Sequence, residues 1–150
     1  MDYRKIGDTY YLRADKGDDL VNCIYAVCVN EELDAVMFSG IGACSSAELQ
    51  TFDPVKQEFN TRKIEGMLEL VSLNGNVITD ELGRYFQHTH ALYTWKEDGE
   101  HRIDGGHLKS SIVLYTAEIE IRPVIGGTIQ WKADLETGTG FWSFEEIEEQ

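Results

Sequence analysis

IVLYTAEIEIRPVI, residues 112–125, decides how the chain is read. It is rich in β-branched residues and gives the longest strand signal in the sequence. Working outward from it, GRYFQHTHALYTW (83–95) alternates with period two and predicts a long strand. Lys96 to Glu100 form a polar turn after it. MLELVSLNGNVIT (67–79) is again extended, and Asn74-Gly75 is a turn signal. ELQTFD (48–53) and KQEFNTRKIE (56–65) predict two more strands, with Asp53-Pro54 as the turn between them. DAVMFSGIGA (34–43) predicts a buried strand running into a glycine turn, and TYYLRAD (9–15) an opening strand.

Only KGDDLVNCIYAVCVNEE (16–32) departs from this habit. Leu20, Ile24, Val27 and Cys28 recur at helical spacing and fall on one face, with Asp18 or Asp19 as the cap. The expected fold is therefore α+β: a long, largely antiparallel sheet with one main helix near the N-terminus. No repeat or linker divides residues 1–150, so a single domain is expected.

Composition narrows the function classes. The net charge is −14, from 27 acidic against 13 basic residues. Phosphate contacts need clustered Lys and Arg, and the basic residues here are scattered, so nucleic acid is not an expected partner. No run of about twenty apolar residues is present to span a membrane, and MDYRKIGDTYYLR lacks an apolar signal core. A cytoplasmic protein is expected. Cys23, Cys28 and Cys44 match no metal spacing and read as buried, reduced thiols. The acidic stretch EEIEEQ (145–150) reads as a solvated end.

All four histidines fall between residues 88 and 107. On a strand, positions i and i+2 share a face, so His88 and His90 project side by side while Gln87 and Thr89 face the other way. His107 can supply a third imidazole, because Gly105-Gly106 allows close backbone approach. Three histidines leave a coordination position open, the pattern of catalytic rather than structural zinc. Paired histidines on a strand are also common as hydrogen-bonded surface residues, and His101 reads as solvated. Glu69 is a candidate proton-handling residue, set against its reading as an exposed residue between Leu68 and Leu70. Asp104 reads as a turn residue. Arg84 and Arg102 lie within sequence reach to hold a substrate carboxylate. GIGA (40–43) reads as a tight turn or as an anion-binding loop, and Gly126-Gly127 as a hairpin turn. Trp131, Phe141, Trp142 and Phe144 read as core or subunit interface.

Five segments occur in an order that resembles the plant and prokaryote conserved (PPC) domain. They are GIGA (40–43), ELVSLNGN (69–76), HTHAL (88–92), DGGHL (104–108) and TAEIEI (116–121). The resemblance implies an α+β domain that assembles as a homotrimer. It also implies a pocket marked by His88, His90 and His107, with zinc as the first choice of metal and other divalent transition metals acceptable to imidazole. Plant members owe their DNA-binding label to a separate basic AT-hook, which is absent here. The histidine pattern is also distantly similar to that of α-acetolactate decarboxylase. Three functions follow: a binding and assembly domain with protein partners or a small ligand, a metal-dependent enzyme acting on a small oxo or hydroxy acid, and a DNA-binding regulator.

Overall fold

Four long strands, all antiparallel, close on one another. They are β3 (Ala35–Asp53), β4 (Glu58–Thr79), β5 (Tyr85–Glu97) and β6 (Glu100–Pro123) in a computed structural model that describes residues 1–144. The sheet runs β1-β2-β6-β3-β4-β5, and β5 pairs back onto β6. Residues 100–107 of β6 pair with β5 and residues 107–123 with β3, so His107 lies where it leaves one for the other. Outside the ring, β1 (Asp2–Ile6) and β2 (Thr9–Asp15) extend the sheet from β6. EEIEEQ lies outside the described residues.

The helix forms where its spacing predicts. α1 spans Leu20–Asn30, and the side chain of Asp19 accepts a hydrogen bond from the Asn22 amide at its start. Leu20, Ile24, Val27 and Cys28 are fully buried and join the inward residues of the strands in one core. Tyr93 is buried within that core, and its hydroxyl donates to Ser111 Oγ at 2.8 Å, which donates to Ser46 O at 2.9 Å. This chain satisfies polar atoms that would otherwise cost stability when removed from water. All three cysteines are buried and free. Burial pushes the Cys23 thiol up to about 11 and the Cys28 thiol up to about 12.

Several expected breaks are absent, and glycine explains each. DAVMFSGIGA does not turn but runs on into ELQTFD as one strand, β3. A Cβ at Gly42 would stand 2.6 Å from Ala117 Cβ, and one at Gly40 would stand 2.6 Å from Glu118 O. These glycines serve close strand approach, with register shifts that bend β3. The same geometry removes the anion-loop reading of GIGA. Asn74-Gly75 likewise lies inside β4, paired to β3 on one side and β5 on the other. KQEFNTRKIE and MLELVSLNGNVIT are also one strand, joined through Gly66 where the register against β3 shifts. Asp53-Pro54 does turn: Asp53 Oδ1 accepts from the Val55 and Lys56 amides at 2.9 and 3.1 Å.

Gly126-Gly127 joins β6 to a separate two-stranded sheet, β7 (Ile129–Ala133) and β8 (Gly140–Phe144), so it is no hairpin turn. The Trp131 indole stacks on Phe86 at 3.9 Å between ring centres and 3° between planes. The indole also lies against Gly140, where any side chain would collide with it. Ile78, the register partner of Phe86 on the outer face of the ring, is 1% exposed. Phe141, Trp142 and Phe144 stay exposed, so of the four expected core or interface aromatics only Trp131 packs down.

Candidate metal centre

Burial of Thr89, Ala91 and Tyr93 fixes the register of β5. A slip of one residue would expose all three, so His88 and His90 are held on the outer face. His107 stands directly opposite His90 on β6. It gets there through Gly105, where a Cβ would lie 2.7 Å from Ala91 O, and Gly106, where it would lie 2.7 Å from Gln50 O. Gly106 also takes φ +154, a conformation open to glycine. The expected role of the glycine pair is thus the observed one.

The three histidines converge. One ring nitrogen from each lies within 4.8 Å of the others. His88 Nε2 and His90 Nε2 are 3.0 Å apart. Ring centres are 4.3 Å apart for His90 and His107, and 5.1 Å for His88 and His107, which stack. Nitrogen ligands at about 2.0–2.1 Å from a tetrahedral ion sit roughly 3.4 Å from one another, so small side-chain rotations suffice to close around one. His88 and His90 still present their edges to water, and His107 is half-buried.

Packing against neighbours lowers the pKa of His88 and His107. For His88 the causes are burial first, then the charge of His90; for His107 they are burial, then His90, then His88. Neutral imidazole is the metal-binding form. Donor type, spacing and protonation state all suit a divalent transition metal.

Other sequence candidates stand elsewhere. Glu69 is exposed on β4, five residues from Asn74, the partner of His90. That is about 16 Å of strand. Asp104 is no turn residue: it lies within β6 opposite Tyr93 and binds Arg62. The guanidinium holds its carboxyl below the usual carboxylate range, against the opposing effect of burial. Arg84 is tied to Asp80, and Arg102 to Glu97 and Glu100. His101 is exposed near the start of β6. Among the described residues, no carboxylate joins the histidines.

Sequence reading missed three neighbours. Phe59 meets the His107 ring edge-on at 5.4 Å. Asn74 and Asn76 stand opposite His90 and His88 across β4 and β5, whereas Asn74-Gly75 in the sequence signals only a turn. Nothing local marks Phe59, because its partner is on a strand remote in sequence.

The chain matches the Plants and Prokaryotes Conserved (PCC) domain over residues 1–125. It is similar to a metal-containing protein from Archaeoglobus fulgidus, with 32% identity, TM-score 0.78, and 95% of this chain and 99% of that chain covered. A Bacteroides thetaiotaomicron protein with a provisional DNA-binding label superposes with TM-score 0.85 at 22% identity, over 97% and 98% of the two chains. A Staphylococcus aureus protein described as similar to α-acetolactate decarboxylase shares the fold more distantly, with TM-score 0.52 and 16% identity over 81% of this chain and 54% of that one. No curated protein matches the sequence significantly.

Proposed function

The chain belongs to the Plants and Prokaryotes Conserved domain family, and we propose that it is a binding and assembly domain in which His88, His90 and His107 hold one divalent transition metal, zinc first. The observation that carries this is the convergence of three ring nitrogens within 4.8 Å on two adjacent strands. Such an ion, with a position left open, supplies Lewis-acid polarisation to a small ligand. The description of the Archaeoglobus fulgidus relative as metal-containing agrees with this reading.

Elemental analysis of protein purified without a histidine tag tests it. About one metal per chain is expected; none, even after incubation with zinc, overturns the reading. Retention carries a pH signature. With the pKa values of His88 and His107 lowered, neither imidazole has a proton to shed at neutral pH. Metal is therefore held at neutral pH and released only once the pH has fallen below those lowered values, themselves below the ordinary value of about 6.5. Dialysis at stepped pH, followed by metal analysis, measures this.

Assembly is the second part of the proposal. Along IVLYTAEIEI little is open to a partner, since Val113, Ala117, Ile119 and Ile121 face the core and Tyr115 is the one exposed apolar residue. The open apolar face is instead Ile41, Met67, Val71 and Tyr115. They line a groove of about 550 Å³, and Ile41 and Val71 continue into a second of about 830 Å³. Apolar patches of this kind mark contact surfaces. A homotrimer covering this face has a mass of about 51 kDa, three times the chain's 17.0 kDa. Light scattering is expected to give that value, and Ile41→Asp or Val71→Asp to lower it.

DNA binding is the weaker reading. Arg4, Arg13, Arg62, Arg84 and Arg102 are each paired with a carboxylate of the same chain, on a background of net charge −14.

A further inference from the structure

We propose that Arg62 is a positioning residue of the histidine site: from the inner side of the strand ring it ties β6 to β3 and so fixes where His107 stands on the outer side. The inference rests on the metal-binding reading of the three histidines.

His107 is reached through Gly105 and Gly106, the residue type with the most backbone freedom to lose. Its neighbours on both sides must therefore hold the strand in place. Arg62 does this with most of its donors. Nε donates to Asp104 Oδ2 at 2.9 Å, and Nη2 to Asp104 Oδ1 at 2.9 Å. Nη2 also donates to the Gly105 carbonyl at 3.1 Å, and Nη1 to Thr51 Oγ1 at 3.0 Å. One side chain on β4 thus grips β6 at two and three residues before His107 and β3 one residue after Gln50, the register partner of His107.

The alternation of the strands separates the clamp from the histidines. Arg62 stands opposite Leu49, and Asp104 opposite Tyr93, both buried. Opposed residues share a face, so the ion pair lies inside while His90 and His107 lie outside. Arg62 cannot touch a metal held by the histidines. Its effect passes through the backbone at Gly105 and Gly106.

The chemistry of the pair suits positioning. A partly exposed ion pair adds little to global stability, but a two-pronged guanidinium–carboxylate contact fixes orientation. Lysine keeps the charge and loses the fork. Arg62→Met and Arg62→Lys are both expected to weaken zinc binding by about 10-fold, the lower end of what loss of an outer-shell partner costs, because Arg62 acts through the backbone and not on a ligand. Competition with a chromophoric chelator measures that loss. Arg84→Met, which removes the arginine of the pair with Asp80, serves as control and is expected to bind zinc as the parent does.

The deciding readout needs no metal. In the metal-free protein, nuclear Overhauser contacts between the His107 and Phe59 rings report the position of His107, 5.4 Å from Phe59. Their loss or weakening in folded Arg62→Met supports the proposal. Parent-strength contacts in that variant overturn it, whatever zinc does. If Arg62→Met does not fold, Asp104→Asn, which keeps the side chain's size and removes its charge, is read the same way. Failure of the parent to take up zinc would sink the metal reading while the ring contacts still judge the clamp.

Discussion

Gly75→Ala is expected to unfold well below the parent and to bind metal weakly or not at all. Gly75 lies near the end of β4, between Phe38 on β3 and Thr89 on β5. A Cβ there would stand 2.5 Å from the Phe38 ring and would collide with the carbonyl oxygen of His88. Phe38 is 3% exposed and has no room to swing aside. The His88 carbonyl is backbone, so only a shift of β5 relieves the overlap. Overpacking of a core costs about 1–3 kcal/mol, and a collision with backbone belongs at the upper end. About 3 kcal/mol lowers the melting temperature by roughly 6–12 °C in a chain of this size. The strand that must move carries His88 and His90, so the metal site is displaced along with the sheet. Gly127→Ala is the control: nothing lies within 4 Å of its Cβ position, and a melting temperature close to the parent's is expected. Equal melting temperatures for the two variants would show that β4 and β5 do not pack as closely as described.

The same glycine shows where local sequence is a poor guide. Asn-Gly is a turn signal because both residues tolerate left-handed backbone conformations. At Gly75 the requirement is different: the site has no space for a side chain, and the residues that fill it come from β3 and β5. Gly40 and Gly42 meet β6 in the same way. None of those encounters is local, so the pattern breaks β3 and β4 into pieces that the fold joins. Alternation is local, by contrast, and its consequences are legible. Thr89, Ala91 and Tyr93 turn inward and His88 and His90 outward, and the opposite facing of Thr89 and the histidine pair is what the sequence predicts. The buried face of α1 is legible for the same reason. Convergence of His107 on the pair was suggested by Gly105-Gly106, but its direct opposition to His90 is a matter of register. Arg62 and Asp104 are 42 residues apart, and no spacing rule connects them.

His90→Ala is expected to abolish tight metal binding while leaving the fold in place. His90 is the middle member of the cluster: its Nε2 lies 3.0 Å from that of His88, and its ring centre 4.3 Å from that of His107. Losing a ligand removes more affinity than losing an outer-shell partner, so a fall of at least about 100-fold is expected in chelator competition. His90 is exposed, and substitution at such a site costs the metal-free protein no more than about 0.5 kcal/mol. The two effects therefore separate cleanly. A third measurement tests the electrostatics. Burial is the larger cause of the lowered pKa of His88 and His107, and the charge of His90 adds to it in both. With His90 gone, both values are expected to rise toward the ordinary value but to stay below it, because the burial that remains still disfavours the charged ring. Titration of the imidazole carbon-bound protons by nuclear magnetic resonance reads both residues at once. Values unchanged in His90→Ala would mean that the three rings do not share a charge environment in solution. That result, together with undiminished metal affinity, would leave His90 as a surface residue and the cluster as a pair.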